Sequence, residues 1–372
     1  ADDAVVHPTG ASVPAARAVA ERLGKVSGRD FITAIALGND LSTRLALALK
    51  GSVVTTGWVN PSVFGVFGGV AAAGKLLGLT EEQMAHAFCC GFYQAGGSIE
   101  VAFGTGSTIR AIRDAFTGKT AVLSALLASQ GLTGVETSLD GPFGLYNLYF
   151  KGAYDAEAIT QGLGKLFHGT WVSFKPWPCC RGTHSCVDAT LSLVKERNLL
   201  PGDVEGVTVT VGEHGRALCT PLEERRRPKL SIDAKHSIPF TVALAIARRN
   251  IVLADFKGER LADPEILRLA QKVDWKFNPE FAIRGIEPGM VEIRLKGGVA
   301  YSKKVDFAYG NPKNPISPDD LVAKFRDCAA YAVNPLAPTV LEEVIQGVSN
   351  LESAADMGQI VEPLAREGAL QR

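Results

Sequence analysis

Residues 174–184 read F-K-P-W-P-C-C-R-G-T-H, a lysine, two adjacent cysteines, an arginine and a histidine on one proline-stiffened turn. Cys179, Cys180, His184 and Cys186 are metal-ligand types. Their pattern, C-C-x-x-x-H-x-C, is not the spaced C-x-x-C pairing of zinc ribbons and fingers, and no second cluster completes a ligand set, so no metal is expected. A cysteine–histidine nucleophile needs an activated thiolate, and nothing in the sequence marks either sulfur as one. The basic residues carry the better signal. Lys175 and Arg181 flank the Pro-Trp-Pro turn, and Thr183 opens a helix whose N-terminus faces them. The stretch reads as an anion-binding turn at a domain junction.

A second basic pair lies in I-R-A-I-R at 109–113. Arg110 and Arg113 are spaced to share one helical face near its N-terminal end, where two guanidiniums and the helix dipole suit carboxylates. The preceding G-T-G-S-T at 104–108 resembles a phosphate cradle but follows no strand, so it reads as a loop and helix start. G-V-A-A-A-G-K-L at 69–76 nearly matches a phosphate-binding loop, yet Leu76 replaces the hydroxyl residue and the stretch sits in an Ala-rich helical pattern. Close helix packing explains it better. His7, before Pro8, and His236, in A-K-H-S-I-P-F, are loop histidines of a type that moves protons.

The elements that must carry these residues fall into two styles. Up to about residue 169 the grammar is helical. Ser12 ahead of Pro14 reads as an N-cap, 29–49 has helical apolar spacing, Thr80-Glu81-Glu82-Gln83 is a capping box opening a helix to about Gln94, and one helix is expected over 105–130. From 170 to 332 strands enter. V-E-G-V-T-V-T-V at 204–211 alternates, and M-V-E-I-R-L-K and A-Y-S-K-K-V-D-F flank Gly297-Gly298 as a hairpin. Helices are expected at 183–197, 240–249 and 264–273, with two more after about 318. The expected fold is mainly α: a large all-helical domain (1–169), a smaller α+β lid domain (170–332), and C-terminal helices (333–372) returning to the helical domain.

Composition narrows the function classes. Lys+Arg and Asp+Glu are both 39, and zero net charge argues against a nucleic-acid partner. No apolar run is long enough to span a membrane, and the first residues carry no signal-peptide pattern. Seven cysteines, two pairs of them adjacent, fit a reducing, cytoplasmic setting.

Several stretches, in order along nearly the whole chain, resemble the MmgE/PrpD family, whose members include 2-methylcitrate dehydratase, cis-aconitate decarboxylase and iminodisuccinate epimerase. They are D-D-A-V-V-H-P, N-P-S-V-F-G-V-F-G-G-V-A-A-A-G-K-L-L-G-L, G-S-T-I-R-A-I-R-D-A-F, F-K-P-W-P-C-C-R-G-T-H-S-C-V-D-A and D-A-K-H-S-I-P-F-T-V-A. The most specific is K-P-x-P-x-C-R-x-T-H. The resemblance implies a helical domain with an α+β lid, a site between them, no cofactor and a homodimer. It also implies further helices before the D-D motif, with an acidic residue just upstream of Ala1.

Carried over position by position, His7 matches the H-P histidine, an acid/base residue, and Lys175 the lid lysine that contacts substrate. Asp2 and Asp3 match the acidic pair, and Asp3, Arg181, His184 and His236 are expected among the substrate contacts. Arg110 stands where relatives carry lysine, Arg113 and Asn60 where they carry histidine, and Phe240 where some carry tyrosine. Arginine does not exchange protons near neutral pH, so Arg110 reads as an electrostatic clamp on a carboxylate. With Arg113, Lys175 and Arg181 it implies a cationic pocket for a small di- or tricarboxylate, with His7, Lys175 and Arg110 as its catalytic set. A 2-methylcitrate dehydratase-like hydro-lyase is the default expectation. The substitutions leave epimerisation, decarboxylation or a catalytically degenerate anion-binding member as alternatives.

Overall fold

The computed structural model describes residues 2–51, 56–281, 285, 286 and 288–365. The first half is helical: α1 (Thr9–Leu23), α2 (Gly28–Leu47), α3 (Asn60–Leu77), α4 (Glu81–Gln94), α5 (Ile99–Phe103), α6 (Arg113–Ser129), α7 (Leu145–Phe150) and α8 (Ala156–Thr160). α3 is the hub on which α1, α2, α4 and α6 pack. Every residue from 62 to 74 is buried, which an all-round small and apolar sequence permits. A Cβ added to Gly68 would lie 2.6 Å from the carbonyl oxygen of Gly38 in α2, so the two backbones touch there. The near-phosphate-loop G-V-A-A-A-G-K-L is thus helix interior, its amides spent on the helix.

Local signals explain several helix ends. Thr80 and Gln83 form both arms of the expected capping box, and Ser27 caps α2 by accepting from the Asp30 amide. Ser12 is not a cap. α1 already begins at Thr9, Pro14 sits inside it, and the buried Ser12 hydroxyl lies 2.5 Å from Pro8 O and 2.6 Å from Asn39 Oδ1. The helix expected over 105–130 is broken. A single 3-10 turn, Ile109–Ala111, is followed by non-helical Ile112 and then by α6. The break follows from the glycine loop, where Gly106 takes φ +80° and donates its amide to Asp233 across the molecule.

The second half carries α9 (His184–Glu196), β1 (Val204–Val211), α10 (Glu213–Ala217), α11 (Leu222–Arg226), α12 (Ser231–Lys235), α13 (Ile238–Arg248), α14 (Pro264–Ala270), β2 (Val273–Phe277), β3 (Gly289–Leu295), β4 (Ala300–Val305), α15 (Pro318–Ala329), α16 (Pro338–Ser349) and α17 (Gly358–Val361). The strands form one mixed sheet in the order β2-β1-β3-β4, with β2 parallel to β1 and the other pairs antiparallel. The expected hairpin is β3–β4. β2 was not expected, although V-D-W-K-F alternates apolar and polar residues; within it only Val273 is fully buried. α9 and α13 lie against each other in one continuous core with Val207, Val209, Val291 and Ile293 of the sheet. Among the described residues the chain is mainly α with this one small sheet.

Beyond α16 the chain runs back onto α1 and α2. Met357 is buried among Ala16, Ala20, Phe31 and Ala34, and its amide donates to Val26 O at 2.8 Å. Residues 366–372 of the expected C-terminal segment lie outside the described residues. Among the described residues no helix is long and apolar enough to cross a membrane.

Candidate active site

A cavity of about 400 Å³ lies between the two halves, within the usual size of a small-molecule site. The helical half contributes the segment before α1, the N-terminus of α3, and the 3-10 turn with the start of α6; the other half contributes residues 172–175, the turn at 180–182, His214, His236 and Ile286. Further bonds join the two halves nearby. Thr105 Oγ1 donates to Glu224 at 2.6 Å, and the Gly106 amide is 3.1 Å from Asp233 Oδ2. The anion in the G-T-G-S-T loop is therefore the protein's own carboxylate.

Of the residues expected at the site, His7, Asn60, Arg110, Arg113, Lys175, Arg181 and His236 line this cavity. Asp3 and His184 do not. Asp3 points outward and is exposed. His184 is fully buried, edge-on to Trp177 with ring centroids 5.1 Å apart and its Nδ1 3.4 Å from Arg181. It packs the turn and is not among the residues that line the cavity. Arg181 is also recast. Its guanidinium holds Asp2 at 3.0 Å, and the Asp2 carboxylate further accepts from Ser173 at 2.5 Å and Asn311 at 3.2 Å. Burial alone would raise the Asp2 carboxyl, but Arg181 and Ser173 outweigh it and hold it below the ordinary aspartate range. The residue of the D-D pair that matters here is Asp2.

Arg110 and Arg113 do not share a helical face. Arg110 sits on the 3-10 turn and Arg113 is the first residue of α6, yet both border the cavity. Burial lowers Arg110 to about 10, so it stays a cation at neutral pH. Arg113 Nη2 lies 3.4 Å from His7 Nδ1. Arginine can only donate, so Nδ1 accepts and the neutral ring carries its proton on Nε2. Burial, then the Lys175 and Arg113 charges, hold His7 well below its ordinary 6.5, and the ring is neutral at pH 7. Asn60 is buried on the cavity wall, and neither of its amide atoms has a partner among the described residues. Such a group is expensive unless a ligand or water satisfies it. In all, the described lining carries four cations, Arg110, Arg113, Lys175 and Arg181, against the carboxylates of Asp2 and Asp114.

The adjacent cysteines differ sharply. Cys179 is buried with its sulfur 3.1 Å from Thr183 Oγ1, and burial pushes its thiol up to about 12. Cys186 is buried as well and also raised to about 12. Cys180 faces the cavity, which His214 and His236 also line. Burial alone would raise it, but the two histidines outweigh burial and hold the thiol well below its ordinary 9.0. Gly182 makes room for His214, because a Cβ there would lie 2.5 Å from the His214 ring. Sequence reading set the cysteines aside and missed His214. The only hint was the glycine in C-C-R-G-T, since His214 and His236 arrive from α10 and the end of α12. Among the described residues no three His, Cys, Asp or Glu converge as metal ligands.

Comparison with known proteins places these features in a family. The MmgE/PrpD N-terminal domain model matches residues 2–157 and the MmgE/PrpD C-terminal domain model residues 177–348. The chain is 26% identical to a cis-aconitate decarboxylase of Aspergillus terreus, over 96% of this chain and 76% of that protein. It is 28% identical to the cis-aconitate decarboxylase of Homo sapiens, over 94% and 72%. It is 23% identical to the 2-methylcitrate dehydratase of Escherichia coli, over 57% and 44%. With both domain models matched in order along one chain, the protein belongs to the MmgE/PrpD family.

Proposed function

We propose that this protein is a cofactor-independent lyase, or an isomerase of the same chemistry, acting on a small di- or tricarboxylate by proton transfer at carbon. The observation that carries the reading is the excess of cations around a cavity of metabolite size. Arg110, Arg113 and Lys175 would neutralise substrate carboxylates and stabilise the charge that develops when a proton α to a carboxylate is removed. His7, neutral at pH 7, supplies a proton-carrying Nε2 beside them. From the resulting carbanion, loss of a β-hydroxyl gives dehydration and reprotonation gives epimerisation, while decarboxylation reaches a related carbanion by loss of CO₂. The relatives matched over nearly the whole chain are named as cis-aconitate decarboxylases, which makes cis-aconitate the first substrate to try. The hydro-lyase reading on 2-methylcitrate rests on a shorter match and stands second.

The test is an NMR assay of the protein with cis-aconitate, 2-methylcitrate, citrate and iminodisuccinate. New product resonances with one of them are the expected result, and an unchanged spectrum with all four would remove the reading. The clamp role is tested separately. Citrate at about 100 times its dissociation constant stabilises a protein by about 2.7 kcal/mol, enough to raise the melting temperature by several degrees. Arg110→Ala should abolish that rise.

A further inference from the structure

The cavity holds a second group able to move a proton, and it comes from the opposite half of the molecule to His7. Cys180 borders the cavity together with His214 and His236, and the two rings outweigh burial in holding its thiol below the ordinary range. The tautomer of His236 is fixed by its neighbour. Ile232 O can only accept, so His236 Nδ1, 2.8 Å away, carries a proton. Nε2 is the nitrogen left for the sulfur. A carbonyl therefore orients an imidazole that shares a proton with a thiol, the arrangement that activates cysteine. The backbone holds the pair in place as well, because the Cys180 amide donates at 2.8 Å to Lys235 O, one residue before His236.

The charges facing the sulfur are His214, His236, Arg110 and Arg225. Arg110 and Arg225 are cations and favour the thiolate. Burial lowers His236, which keeps its proton easily given up. His7 is poorly placed to be the resting base, because its Nδ1 is taken by Arg113 and its Nε2 is protonated. Asn60, buried with both amide atoms unpartnered among the described residues, lines the same cavity and independently marks it as built for a ligand.

We propose that Cys180, with His236 as its proton partner, is the base that takes the proton from the substrate carbon, while His7 faces the same substrate from the helical half. The inference rests on the functional reading above. In the step, the C–H bond breaks as an S–H bond forms, and the C–H electron pair moves into the adjacent carboxylate among Arg110, Arg113 and Lys175. The thiol's own proton rests on His236 Nε2, so the new S–H proton stays on sulfur until it exchanges with solvent or returns to carbon, and either event regenerates the thiolate. Electrons balance within the substrate, and no oxidant or reductant is involved. Cys180 is assigned as a catalytic residue and His236 as its positioning residue.

Solvent deuterium exchange into the substrate, followed by NMR on the full chain, tests this. Cys180→Ser should slow exchange by about 100-fold or more while the citrate-induced rise in melting temperature persists, and Cys179→Ala should exchange as the wild type does. Iodoacetamide should alkylate Cys180 along a pH limb well below that of an ordinary thiol, and His236→Asn should move that limb upward. Wild-type exchange in Cys180→Ser, or an alkylation limb at ordinary thiol pH, would overturn the assignment. If the wild type turns over none of the four acids and none raises its melting temperature, the functional reading fails first and the base role fails with it. Turnover in the wild type with no loss in Cys180→Ser overturns the base role alone.

Discussion

At the scale of single residues, the site works by setting protonation states against their ordinary values. His7 is held neutral by burial and by Lys175 and Arg113. Because its pKa in the folded protein lies below 6.5, the acid limb of kcat/KM that depends on neutral His7 should lie below that pH. The same depression means that the unfolded chain binds a proton that the folded one refuses, so this histidine costs stability as pH falls below its ordinary value. Arg113→Leu removes one of the charges responsible and the donor to Nδ1. We expect the acid limb to move up toward the ordinary histidine value and kcat/KM at pH 7 to fall by about 10- to 100-fold. A limb that stays put in the variant would show that Arg113 does not set the His7 proton. Lys175, Arg110 and His7 were legible because each sits in a short motif beside proline, glycine or another basic residue. Cys180 was not, because the histidines that line the cavity with it come from α10 and the end of α12, and sequence spacing carries no trace of that meeting.

At the scale of elements, what positions the site is close packing of small residues. α3 brings Asn60 to the cavity wall at its N-terminus, and it can do so because its backbone touches α2 at Gly68 and Gly38. Gly68→Ala forces a methyl to within 2.6 Å of a carbonyl oxygen, with Ser42 Cβ at 2.9 Å. Separating two packed helices in this way costs about 1–3 kcal/mol, which chemical denaturation would register as a lower midpoint at an unchanged slope. A variant as stable as the wild type would mean that α2 and α3 part without loss. Helices closed by local chemistry were readable, as with the capping box at Thr80 and the hairpin glycines with φ +94° and +88°. The break at Ile112 was not, because it depends on Gly106 reaching Asp233 in the other half. β2, which pairs in parallel with β1, was readable in the alternation of V-D-W-K-F and was passed over because the segment directly follows an expected helix.

At the scale of the whole molecule, the cavity exists only where the two halves meet, so the contacts that tie them are part of the site. Asp2 and Arg181 form the most buried of these, with side chains 12% and 5% exposed, and Ser173 and Asn311 complete the carboxylate's hydrogen bonds. The sequence displayed the arginine and the acidic pair, but their partnership spans nearly half the chain, and no spacing rule joins residues so far apart. A buried pair of this kind is costly to break, since removing one member strands the other. Asp2→Asn should lower stability by about 3–5 kcal/mol at pH 7. Its pH dependence follows from the direction of the Asp2 shift. A depressed carboxyl contributes stability above its unfolded pKa and loses that contribution as pH falls through the lower folded value. The wild type should therefore lose stability more steeply than Asp2→Asn below about pH 4, and the two melting curves should converge there. Because Asp2 and Arg181 both border the cavity, Asp2→Asn should change citrate binding as well as stability. Melting curves recorded with and without citrate across the acid range read both effects at once. Equal losses of stability in wild type and variant between pH 5 and pH 2 would deny the pair its role in joining the halves.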